Sequence, residues 1–189
     1  RLSLERELRH AIDHGQLHVH FQPEFALENR RITGAEALIR WSHPTRGLLS
    51  AGSFIDVAEE SGMIDDIGRF ALREACRSFA TISASFGEDL TLRVNISARE
   101  FARPELPDLV RAALKGSGLR SDRLCLEMTE TTVMDSPEVA LETFTRLHEI
   151  GVEFAIDDFG TGYSSMTYLK GFPVDVIKID RGFIEDIVT

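Results

Sequence analysis

The sequence predicts an α/β fold, a parallel sheet with helices outside it. Three observations carry this. Apolar residues alternate between the two-residue period of strands and the 3.6-residue period of helices. About six strands can be counted, most of them separated by helices through short connections. Polar residues interrupt successive strands near their carboxyl ends. A (β/α)₈ barrel and an open doubly wound sheet both satisfy this pattern. No G-x-G-x-x-G or G-x-x-x-x-G-K-[ST] loop follows any strand, which weakens the open nucleotide-binding sheet.

Leu4, Leu8, Ala11 and Ile12 share one helical face, with Ser3 as the expected cap. Leu17, Val19 and Phe21 alternate with His18, His20 and Gln22 and mark the first strand. Glu28-Asn29-Arg30 reads as a turn, a second strand runs from Ile32 to Trp41, and His43-Pro44 reads as the turn after it. Helical spacing returns at Phe54, Val57 and Ala58, and again from Ile64 through Ile67, Ala71, Ala75 and Phe79. Leu90, Leu92, Val94 and Ile96 mark the third strand, and a helix around Leu106 to Leu114 follows, ended by Gly116 and Gly118. Leu124, Leu126 and Met128 mark the fourth. Asp135-Ser136-Pro137-Glu138 then places cap, proline and acid in the order that opens a helix, whose face is Ala140, Phe144, Leu147 and Ile150. Val152, Phe154 and Ile156 give the fifth strand, a short helix is expected after Ser164-Ser165, and Val174 to Asp180 gives the sixth.

The chain has 189 residues and a mass of 21.1 kDa, one sizeable domain, with no interdomain linker or low-complexity segment. A content of 43% apolar and 28% charged residues excludes disordered, collagenous and disulfide-scaffold classes. The 31 acidic residues outnumber 21 basic ones, and the net charge of −10 argues against polymeric nucleic acid as a partner. No apolar run reaches the roughly 18 residues of a membrane span. The opening segment lacks the apolar core of a signal peptide. Cys76 and Cys125 read as small buried hydrophobes, and so few cysteines suit a reducing compartment. A soluble, cytoplasmic, acidic domain is the expectation.

The polar interruptions point to chemistry. Glu36, Leu38 and Arg40 share one face of the second strand, and Asn95 lies near the end of the third. Glu127 and Glu130 end the fourth, Asp157-Asp158 the fifth, and Lys178 and Asp180 the sixth. A single acid at a strand end commonly caps a helix or pairs with a cation. Several at equivalent positions indicate a functional rim, because in a barrel all those ends meet on one side. Asp157-Asp158 is hard to place as structure, since adjacent strand residues point to opposite faces and one must meet the interior. Glu36, Asn95, Glu127 and Asp157 are hard oxygen ligands of the kind that select Mg²⁺ or Mn²⁺. Without cations such carboxylates would raise one another's pKa. Lys178 held beside metal cations would have a lowered pKa and become a base or water-orienting group.

Other features carry less. His18-x-His20 could hold a metal, but no third ligand is apparent, and packing or exposure is the default. Gly160 and Gly162, within the segment from Phe159 to Ser165, suit a mobile or tightly turned loop over the rim.

Glu36-Ala37-Leu38-Ile39-Arg40-Trp41 followed by His43-Pro44 resembles the signature of the EAL family of bacterial cyclic-di-GMP phosphodiesterases. The resemblance continues through Phe21-Gln22-Pro23, Val94-Asn95-Ile96-Ser97, Glu127-Met128-Thr129-Glu130, the segment Asp157 to Ser165, and Lys178-Ile179-Asp180. It implies a TIM-type barrel variant whose first strand runs antiparallel, and hydrolysis of cyclic-di-GMP to linear pGpG with Mg²⁺ or Mn²⁺. By resemblance, Glu36, Asn95, Glu127 and Asp157 would hold one ion and Asp158 would help hold a second. Lys178 would activate or orient the attacking water, and Glu130 would brace the glycine loop. Gln22, Leu38, Arg40 and Asp180 would contact the ligand. Two cations would let an acidic domain accept a dianionic ligand.

The resemblance also implies a homodimer whose contact lies near Phe159 to Ser165. It implies that the parent chain has room for an upstream sensory or diguanylate-cyclase-like domain, or a membrane tether. Family members continue past the sixth strand with an acidic Ala-Glu-Gly-Val-Glu-type motif and a Gln-Gly-Tyr-like motif. Neither precedes Thr189, so two strand–helix units, about 50 residues at typical barrel size, are expected beyond it. The polypeptide as written is therefore expected to be poorly soluble or inactive. Two other readings compete with the enzyme: a non-catalytic cyclic-di-GMP receptor that signals to a partner, and enolisation of a carboxylate substrate.

Overall fold

The structure, a computed structural model, describes residues 2–86, 90–135, 137–160 and 173–183. Helix α1 (Leu2–Asp13) leads into an antiparallel pair, β1 (Leu17–Phe25) and β2 (Ile32–His43). The turn between them contains Arg30 in the left-handed region (φ 58°), and Asn29 Oδ1 accepts from the amide of Arg31. Strand β3 (Gly47–Ser50) folds back on β2. Helices α2 (Ile55–Ser61) and α3 (Ile64–Phe86) then lead to β4 (Thr91–Asn95). After it come α4 (Ala98–Phe101), α5 (Leu106–Ser117), β5 (Leu124–Thr129), α6 (Glu130–Asp135), α7 (Pro137–His148), β6 (Glu153–Phe159) and β7 (Val176–Ile179).

The strand order is β1-β2-β4-β5-β6-β7, with β3 hydrogen-bonded to β2 off that path. From β2 onward every consecutive pair on the path is parallel. Antiparallel β1 and the parallel strands, joined by helices as far as β6, are those of the barrel variant. Among the described residues the sheet is not closed by hydrogen bonds between β1 and β7.

Parallel strands covered by apolar groups on both faces read as unbroken hydrophobic runs, whereas these alternate. The structure gives the reason. Ala35 and Ala37, Leu92 and Val94, Leu124 and Leu126, and Phe154 are buried in one core with residues of α3, α5 and α7 such as Phe79, Val110 and Phe144. The opposite, inward face carries Glu36, Arg93, Asn95, Glu127, Asp157 and Lys178. A second core joins Leu8 and Ala11 of α1 to Trp41, Phe54 and Ile67.

Three local expectations change. Ser3 lies inside the first turn of α1 and is not its cap; its hydroxyl donates to Glu7 (2.5 Å), a side-chain partner four residues on. The second strand runs two residues past Trp41 to His43, which pairs with Gly47, so the expected turn begins at Pro44 and closes a hairpin. The third strand is Thr91–Asn95, with Leu90 and Ile96 just outside it. The helix expected after Ser164-Ser165 lies outside the described residues, as does the loop from Thr161 on. No helix among the described residues is long and apolar enough to cross a membrane.

Candidate active site

Parallel registry carries the polar groups to one rim. Asn95 of β4 lies level with Glu127 of β5, and Asp157 of β6 lies level with Thr129, one inward step further along. This stepwise stagger is what strand tilt in a barrel imposes. The inward side chains converge on one cation. Lys178 Nζ lies 2.7 Å from Glu127 Oε2, 3.2 Å from Asp157 Oδ2 and 3.4 Å from Glu36 Oε2. Asn95 Nδ2 donates to Glu36 Oε1 at 2.7 Å.

Asp157 and Asp158 share a break in the sheet. The β6–β7 register shifts between Ile156 and Phe159, and Asp158 is left-handed (φ 53°). Asp157 keeps the inward position while its Oδ1 accepts from the amide of Asp158. A bulge of this kind re-aims side chains. Partial burial and then the charges of Asp157 and Asp180 hold Asp158 above the ordinary carboxylate range. The next turn is held from below. Glu130, itself buried, accepts from the amide of Gly160 (3.2 Å) at the first residue of α6. Gly160 has φ 100°, and a Cβ there would lie 2.8 Å from the ring of Phe183.

The electrostatics are those of a cation placed in an acidic cage. Burial pushes Glu127 up to about 7; the Lys178 hydrogen bond and charge oppose this, and Glu36 and Asp157 add to it. Burial works against the ammonium of Lys178, but Glu127, Glu36 and Asp157 outweigh it and raise its pKa. Beside metal cations the sequence reading has Lys178 lowered; the chain's own charges do the reverse, because every near neighbour of the ammonium is an anion.

Of the expected ligand contacts, Gln22 is exposed on β1 directly across from Glu36, and Leu38 and Arg40 are half-buried on β2. Arg40 Nη1 donates to the carbonyl of Ile39, and Asp180 accepts from the amide of Gly182. A cavity of about 250 Å³ opens beside the rim, lined by Leu38, Ile55, Ile64, Asn95, Glu127 and Thr129 among others. His18 and His20 are exposed on β1, and no grouping with other metal donors is found among the described residues. Cys76 and Cys125 are free and buried, and burial pushes both thiols up to about 12. Sequence reasoning missed Arg93 and Glu24. Arg93 sits two residues before Asn95 and so on the same face, the one signal that could have found it.

The donor set suits a hard divalent cation. Glu127 is fully buried, and its Oε1 has no hydrogen-bond partner. A buried carboxylate oxygen with no partner is costly unless a cation takes it up. Among the described residues no three carboxylate, thiol or imidazole groups are tight enough to hold an ion as they stand. They are drawn in around an ammonium instead, so one positive charge already occupies the centre of the oxygens. Glu36, Asn95, Glu127 and Asp157 therefore fit Mg²⁺ or Mn²⁺ in kind.

The profile of the EAL domain family matches residues 5–189. The chain is 45% identical over 186 residues to the cyclic di-GMP phosphodiesterase NbdA of Pseudomonas aeruginosa, covering 98% of this chain and 24% of that protein. It is 43% identical to the bifunctional diguanylate cyclase/cyclic di-GMP phosphodiesterase MucR of the same organism, covering 99% of this chain and 27% of that protein. The chain thus spans about a quarter of the length of these relatives. Among solved structures, the PaMucR phosphodiesterase in complex with c-di-GMP superposes with a TM-score of 0.93 at 43% identity, covering 98% of this chain and 75% of that one. The EAL enzyme Bd1971, in a form with cAMP and cyclic-di-GMP bound, gives a TM-score of 0.91 at 32% identity, covering 99% of this chain and 52% of that one.

Proposed function

The chain belongs to the EAL domain family, and on that footing we propose that it hydrolyses cyclic-di-GMP to linear pGpG with Mg²⁺ or Mn²⁺. The observation that carries this is the convergence of Glu36, Glu127 and Asp157 on Lys178, with Glu127 Oε1 left without a hydrogen-bond partner. The likeness to NbdA and MucR supplies the substrate class.

Glu36, Asn95, Glu127 and Asp157 are the residues to hold a first ion, and Asp158, with its charge at the same rim, is the further ligand for a second. When bound, the metal supplies Lewis-acid polarisation of a phosphoryl oxygen and lowers the pKa of water. The chain's own residues do the rest. Gln22, Leu38, Arg40 and Asp180 line the approach and hold the dinucleotide, beside the cavity that Leu38 lines. Lys178 orders the attacking water. That water's hydroxyl goes to phosphorus, the bond from phosphorus to the 3′ oxygen breaks, and the water's proton goes to the departing oxygen. Glu130 fixes Gly160 and with it the turn that follows the acidic pair.

Incubation with cyclic-di-GMP and Mn²⁺, followed by chromatography of the nucleotides, tests the reading. Appearance of pGpG that is abolished by chelation and by Glu36→Gln supports it. Binding without turnover makes the domain a receptor, and neither binding nor turnover removes the substrate assignment. The parent chain of such a domain is a multidomain signalling protein in the manner of MucR, and its activity belongs to the same proposal.

A further inference from the structure

Beneath the acidic rim, on the same inward face, lies a cation that the mechanism above does not use. Arg93 of β4 reaches across β2 to Glu24 of β1, with Nε to Oε2 at 2.7 Å. Its Nη1 donates to Cys125 Sγ of β5 at 3.1 Å and stands 3.8 Å from Glu127 Oε1. That oxygen is the one without a hydrogen-bond partner, on a carboxylate that is fully buried. The guanidinium is largely buried as well, at 15% exposure, and it is permanently charged. Glu127 is therefore held between two cations. Lys178 takes Oε2 from the rim side, and Arg93 faces Oε1 from below. The two differ in how they are fixed. Lys178 ends a flexible stem among three acids, whereas Arg93 is pinned by Glu24 and Cys125 and has a fixed fork.

We infer that Arg93, anchored by Glu24, is a positioning residue that fixes the Glu127 carboxylate in the orientation from which it takes up the metal. The inference rests on the proposed metal-dependent reading. Its physical basis is that groups which orient a metal ligand are worth about 10–100-fold in metal affinity. The sign of the effect separates positioning from bulk charge. Removing a cation from beside a metal site tightens metal binding on Coulombic grounds alone. Removing one that holds a ligand in place weakens it.

Calorimetric titration of Mn²⁺ into the protein is the test. Arg93→Gln is expected to weaken Mn²⁺ binding about tenfold or more, and Arg93→Lys to recover part of it. Glu24→Gln keeps the guanidinium but removes its anchor, and it is expected to weaken binding as well, so the test survives a poorly folded Arg93→Gln. Unchanged or tighter binding in a folded Arg93→Gln, or unchanged binding in Glu24→Gln if Arg93→Gln does not fold, overturns the inference. A metal-free crystal structure of the folded Arg93 variant gives a second reading that needs neither metal binding nor hydrolysis. The Glu127 carboxylate is expected to leave its place; a carboxylate unmoved in that structure overturns the inference whatever the wild type does with Mn²⁺. If the wild type binds no Mn²⁺, the metal-dependent function fails, while the crystal structure still decides whether Arg93 positions Glu127.

Discussion

Glu127 combines full burial with two cationic neighbours, and its behaviour should dominate the pH response of the site. In the metal-free chain burial raises its carboxyl to about 7, so below that pH a proton must leave before a metal can bind. Mn²⁺ affinity is expected to rise with pH by up to about tenfold per unit below 7 and to level off above it. A flat profile between pH 5.5 and 8 would show that Glu127 is not a ligand. Lys178 is the other half of the pair. Lys178→Met is expected to lower kcat by about a hundredfold or more while cyclic-di-GMP affinity changes little, as read by single-turnover kinetics and equilibrium titration. The acids and the lysine were legible because the two-residue period of a strand puts every second residue on one face, and all but Glu36 of the longer β2 fell near carboxyl ends. Arg93 was not, because an arginine on a strand reads equally well as a solvated cation. Its anchor Glu24 lies 69 residues earlier, and only the sheet order brings β1 within its reach.

Short elements hold the strand ends in place, and these were the least legible parts of the fold. Strand β3 and helix α4 each have four residues, too few to display a period. Yet α4 follows Asn95 closely and is clamped twice. Ser97 and Glu100 form a capping box, and Arg99 and Arg103 both pair with Asp65 in the first turn of α3. Glu100 lies against Gly68, where a Cβ would overlap its carboxylate. Gly68→Ala is therefore expected to cost about 1–3 kcal/mol in chemical denaturation, an overpacking penalty. Burial raises the Glu100 pKa above its ordinary value, despite the hydrogen bonds from Ser97. A carboxyl raised in the folded state contributes stability that is complete below its unfolded pKa and is lost as pH rises through the folded one. The stability of the wild type relative to Glu100→Gln should accordingly fall as pH rises from 4 to 8, measured by urea unfolding. A constant difference across that range would mean that the carboxyl is not perturbed by its site. At the other end of the sheet the bulge at Asp157-Asp158 was visible only as an oddity, since aspartate enters the left-handed region more readily than most residues but is as common at caps and strand ends. Gly160→Ala, which combines φ 100° with the approach to Phe183, is expected to reduce turnover more than global stability.

At the scale of the whole molecule the governing feature is that the sheet is open among the described residues. The strand order and the antiparallel β1 follow from alternation and from the EAL resemblance, but closure depends on what pairs with β1 and β7 on their far sides. The described residues supply no such partner. Ile177 and Ile179 of β7 are 49% and 59% exposed, and Phe183 just beyond is 53% exposed. An unpaired strand that presents apolar side chains is a template for association with another chain. The 189-residue polypeptide is thus expected to self-associate in sedimentation velocity runs, increasingly so with concentration. Ile177→Lys places a charge on the outward side of that edge, away from the inward-facing Lys178, and is expected to shift the distribution towards monomer. A polypeptide monodisperse as a monomer at every concentration would show that the edge is harmless. A dimer that persists through Ile177→Lys must be joined elsewhere on the surface.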